Sequence, residues 1–107
     1  MTPEQRYAAL VKAFLRKPRV TQDGTGFGST SLKVKGKIFA LLSSRGEFVV
    51  KLPHRRVDEL IAAGKGRRFD PGHGRLMKEW LAVRSNSSED WIRLAAEALK
   101  FVGARAR

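Results

Sequence analysis

Two apolar runs near the middle of the chain, Lys37–Leu42 (KIFALL) and Glu47–Leu52 (EFVVKL), are separated only by Ser43-Ser44-Arg45-Gly46. Both read as strands, the first more fully buried, and so short a connection of turn formers joins antiparallel neighbours. Just before them, Leu32-Lys33-Val34-Lys35 alternates apolar and basic residues, the pattern of a half-exposed strand, and Gly36 breaks the run. These three segments predict an antiparallel meander, whose apolar face the rest of the chain has to cover.

Helical patterns supply the cover. Thr2-Pro3-Glu4-Gln5 is a helix start, with Thr2 as cap, Pro3 in the first turn and Gln5 completing a capping box. Tyr7, Leu10, Val11, Phe14 and Leu15 follow as one apolar stripe, and Pro18 stops the run, which predicts a helix over Pro3–Arg16. A second helix opens at Pro53, with Val57, Leu60 and Ile61 as its stripe and Gly64 as its C-terminal cap. Met77–Val83 reads as a fourth strand, with Met77, Glu79, Leu81 and Val83 on one face and Lys78, Trp80 and Ala82 on the other. Ser85–Ser88 supplies turn and cap, and Glu89 and Asp90 suit the positive end of a third helix. Its stripe is Trp91, Leu94, Ala95, Ala98 and Val102, with residues 103–107 expected to fray. Arg19–Thr30 has three glycines but no Lys-Ser/Thr pair after them, so it reads as a loop rather than a nucleotide-binding P-loop, with Phe27 tucked into the core.

The order is α-β-β-β-α-β-α, an α+β two-layer domain in which helices cover one face of a four-stranded antiparallel sheet. A chain of 107 residues fits one such domain over 1–107. Every apolar run is short and interrupted by charge, so no membrane span is expected. There are no cysteines, which excludes disulfides, thiolate metal sites and cysteine nucleophiles, and a cytoplasmic location is the plain expectation.

Charge is the extreme feature. Lys+Arg total 22 against 10 for Asp+Glu, a net +12. A small domain this basic attracts polyanions, which makes nucleic acid, DNA first, the expected partner, with an acidic protein as the alternative. Basic residues concentrate in Gly64–Trp80 (GKGRRFDPGHGRLMKEW), which also holds four glycines. The stretch reads as a connection in which Lys65, Arg67, Arg68, Arg75 and Lys78 surround a backbone nest that could hold phosphate, or as a solvated loop whose glycines only permit turns. Lys33 and Lys35 are expected to point to solvent together, as a row for phosphates or as protection of a sheet edge.

The segments GKIFALL, EFVVKLP and DPGHGRLMKEWLAV resemble the MmcQ/YjbR-like family over most of the chain, Lys33–Val102. The N-terminal domain of the competence regulator TfoX is a related look-alike. The resemblance implies a frataxin-like α+β sandwich and a DNA-binding role. It also maps the family's motif onto Pro71, His73, Lys78 and Trp80, which gives the glycine-rich stretch a third reading, a loop fixed onto the sheet by Pro71, His73 and Trp80. A frataxin-like iron role would need an acidic helix ridge, and the first helix carries Glu4 alone against Arg6, Lys12, Arg16 and Lys17.

Catalysis is not expected. The serines lie in turn or cap contexts without a nucleophile elbow, and the few carboxylates, Asp58, Glu59, Glu89 and Asp90, look like solvated faces or dipole partners. His54 and His73 lack metal-ligand spacing, so no metal and no cofactor are expected. Phe39, Phe48 and Trp91 fall on core faces, whereas Trp80, opposite Leu81, is the aromatic with a chance of meeting a base. The expected function is non-catalytic, sequence-tolerant nucleic-acid binding through basic residues, with a protein-interaction or adaptor role as the alternative.

Overall fold

The computed structural model describes residues 2–22, 31–69, 77–83 and 90–105. Helix α1 spans Pro3–Phe14. Its capping box is closed: the Gln5 amide donates to Thr2 Oγ1 at 3.1 Å, and the Thr2 amide donates to Gln5 Oε1 at 2.9 Å. Such a cap contributes about 1 kcal/mol. Tyr7, Leu10, Val11 and Phe14 are buried, but the helix ends two residues before the expected Arg16, and Leu15 is 43% exposed. The Lys17 amide donates to the Phe14 carbonyl at 3.0 Å, tightening the chain ahead of Pro18.

Among the described residues six strands form the sheet, not four. They are β1 (Val20–Gln22), β2 (Leu32–Val34), β3 (Lys37–Leu42), β4 (Phe48–Lys51), β5 (Gly66–Phe69) and β6 (Met77–Val83), with helix α2 (His54–Ala62) before β5 and α3 (Asp90–Arg105) after β6. Their order is β1-β2-β3-β4-β6-β5, and every neighbouring pair is antiparallel. The two strands absent from the sequence reading are the edges, of three and four residues. Their polar sequences carry little alternation, and their pairing comes from the backbone of β2 and β6. Gly66 marks the start of β5 for a packing reason, because a Cβ there would lie 2.4 Å from the Ala82 carbonyl oxygen. Helix α3 is also longer than expected, since residues 103–105 are helical rather than frayed.

Lys35 and Gly36 form the two-residue turn between β2 and β3, with φ of 53° and 81°. Positive φ at both positions gives the twist that a tight hairpin needs. This corrects the expected lysine row: Lys33 sits half-buried in an interior strand, while Lys35 lies outside the strand in the turn. A register shift follows, in which Leu32 pairs with Ala40 but Lys33 pairs with Ile38. The extra residue, Phe39, bulges, and both Phe39 and Ala40 are thereby fully buried.

All three helices cover one face. Tyr7 and Phe14 of α1 meet Phe48 and Phe39 at ring distances of 6.0 and 6.2 Å, and Trp91 of α3 stacks on Phe48 at 4.6 Å. Val57 and Leu60 of α2 join the same core. Arg56 clamps α2 to α3 through two bonds to Glu97, at 2.9 and 3.1 Å, and this hydrogen bonding raises the pKa of its guanidinium. The expected stripe of α3, from Trp91 to Val102, is buried throughout. No described helix is long and apolar enough to cross a membrane.

Candidate nucleic-acid interface

Arg67 and Arg68 are consecutive on β5, so they project to opposite faces. Arg67 stands across from Ala82 and pairs with the Glu47 carboxylate; Arg68 stands across from Leu81 and pairs with Asp58 of α2. His54 Nε2 lies 3.4 Å from the same Asp58. The two arginines therefore do not converge, and each faces an acid already. Lys65 is exposed in the turn before β5, where its amide donates to the Leu60 carbonyl at 2.9 Å. Lys78 is exposed on β6. Arg75, Pro71, His73 and Phe27 lie outside the described residues, so the expected nest and the loop-fixing contacts do too.

Strand direction brings other basic residues together. The Lys35–Gly36 turn marks one end of the sheet. Val20 pairs with Val34, so β1 starts at that end; β4 finishes there at Lys51, and Trp80 near the start of β6 stands opposite Lys51. The segment leaving α1, Lys17-Pro18-Arg19, leads directly into β1. Helix α3 brings its C-terminus to the same end, where Lys35 Nζ donates to the Gly103 carbonyl at 2.9 Å. A cation is well placed there, because the last carbonyls of a helix carry partial negative charge.

Between these parts lies an open groove of about 470 Å³. Lys17, Arg19, Lys35 and Lys100 line it above an apolar floor that includes Val34 and Leu99. Among the described residues, no carboxylate lines it and none forms an ion pair with any of the four. Lys17 holds its ammonium 5.6 Å from the Phe14 ring centroid, which leaves its charge outside an ion pair. Arg19 (φ 65°) and Lys35 (φ 53°) are the non-glycine residues with positive φ among those described, and both line the groove. Left-handed backbone at a bulky residue costs energy and tends to cluster at functional sites.

Of the described residues expected to bind nucleic acid, Lys35 alone lines this groove. Lys17, Arg19 and Lys100 are scattered along the chain and meet only through the topology, so no sequence pattern marks them as binders. Two of them flank Pro18, outside any regular element. No family model, curated protein or solved structure matches the chain.

Proposed function

We propose that this chain binds nucleic acid through backbone phosphates, without catalysis and with little sequence preference, at the groove between the end of α1, the β2–β3 turn and the end of α3. The observation that carries this reading is the set of four basic side chains around one groove that, among the described residues, no carboxylate lines, in a chain of net charge +12. Lysine ammoniums are compact point charges that meet phosphate oxygens in many orientations, and Arg19 adds a planar fork that can take two oxygens at once. Contacts of this kind position a backbone without reading bases. The apolar floor offers no side-chain donor or acceptor for base edges. Membership of the MmcQ/YjbR-like family belongs to the same reading, on the residues that carry the resemblance.

The test is fluorescence anisotropy of a labelled duplex at increasing salt. Binding should appear at low salt, and log K should fall against log salt with a slope of about −0.9 for each phosphate contacted, or roughly −3.6 for four. Absence of binding at low salt overturns the reading. Capture of acidic peptides at the groove in place of DNA would make the adaptor role the better one.

A further inference from the structure

Among the described elements, the second face of the sheet carries no helix. Val49 and Ala82 pair across β4 and β6 on this face and are buried, yet neither belongs to the core beneath the helices. Both are closely covered, at 0% and 2% exposure. One register step along, Trp80 stands opposite Lys51, half-buried, with the Lys51 ammonium 5.6 Å from its ring centroid. Lys78, exposed, precedes it by two residues and so shares the face. The nearest acidic neighbour in sequence, Glu79, points the other way and is held by Arg105 at 3.1 Å. Arg67 lies on the same face, nearer the opposite end of the sheet, where Glu47 pairs with it.

We infer that Trp80, with Lys51 and Lys78, is a stacking station for a base of single-stranded nucleic acid. This rests on the phosphate-binding reading above and names the form of nucleic acid that the chain holds best. The chemistry is specific to an unpaired strand: an indole offers a flat apolar surface to any base, but bases inside a duplex are already stacked on each other. The two lysines stand where the phosphates flanking a stacked base would need countercharge. Trp80 also lies at the groove end of the sheet. Three strand spacings separate β2 from β6, about 14 Å. A flexible single strand can pass from the groove around the strand ends to Trp80, whereas a stiff duplex cannot bend around so short an edge.

The chain has two tryptophans, and the other, Trp91 of α3, is 1% exposed against Phe48 of the sheet. Intrinsic fluorescence therefore reports mainly on Trp80 when a ligand arrives. Titrating the wild-type chain with a thymidine oligonucleotide should quench tryptophan emission in parallel with the rise in anisotropy of a labelled copy. Trp80→Ala should weaken oligonucleotide binding by about fivefold or more, the loss expected for one stacked base. Duplex binding should change by less than about twofold, because its phosphate contacts remain. Trp80→Phe should keep most of the single-strand affinity, and it serves as the comparison if Trp80→Ala fails to fold. Emission that stays unquenched while anisotropy saturates overturns the inference, as does an equal loss of single-strand and duplex affinity in a folded Trp80 variant. Replacing Lys17, Arg19, Lys35 and Lys100 with Gln separates the two claims. Duplex binding that survives this change defeats the groove reading, while quenching by the oligonucleotide in the same variant still supports the Trp80 site.

Discussion

On the β5–α2 flank, Arg67, Arg68 and Arg56 each meet a carboxylate: Glu47, Asp58 and Glu97. In the groove between α1, the β2–β3 turn and α3, Lys17, Arg19, Lys35 and Lys100 meet none among the described residues. The flank is the richer region in sequence, with two adjacent arginines between glycines, and it is the electrostatically quieter one. Basic residues crowded in sequence are thus a poor guide to a basic surface when a strand sends them to opposite faces and acids approach from other elements. The groove has the reverse character, since its four charges come from three separate stretches and none is countered by a described carboxylate.

The sharpest way to break this contrast is to remove charge from each region in turn. Changing the four groove residues to Gln should lower duplex affinity on the order of a hundredfold at physiological salt and flatten the salt slope. Arg67→Gln with Arg68→Gln should cost less than about threefold, because those charges are already countered. Losses in simple proportion to charge removed, read by anisotropy, would erase the distinction. A second test asks whether the flank is structural. Gly66→Ala places a methyl group against the Ala82 carbonyl. It should destabilise the fold by about 1–3 kcal/mol in urea melts, with groove affinity unchanged below the transition. The smallest effect is expected at the turn. Lys35→Asn keeps a residue that tolerates positive φ, so stability should stay within about 0.5 kcal/mol, while duplex affinity drops by about threefold. A larger fall in stability would mean that the Lys35 contact to Gly103 matters more for folding than for binding.

Much of the fold was legible in the sequence because burial leaves a period. The α3 stripe, the capping box at Thr2 and the cap at Gly64, which has φ of 76°, all follow from local rules. Edge strands leave no such trace. Val20–Gln22 buries one side chain, and Gly66–Phe69 buries none of its four residues fully. Gly66 looked like a turn former, whereas its missing side chain makes room for the neighbouring strand. The site was legible only in fragments. Lys35 was identified, but as part of a strand row that the hairpin turn rules out. Lys17 counted only against an acidic ridge on the first helix. Lys100 is a single lysine on the exposed side of a helix, and no spacing rule links it to Arg19.

The Lys35 hydrogen bond to Gly103 joins residues 68 positions apart in sequence. The groove therefore exists only after the last helix has docked on the first hairpin, and no fragment of the chain contains it. Any anion that binds there selects the completed chain over every partly folded form. Its binding energy then adds to the stability of the whole domain, by about 2.7 kcal/mol when the free ligand stands at a hundred times its Kd.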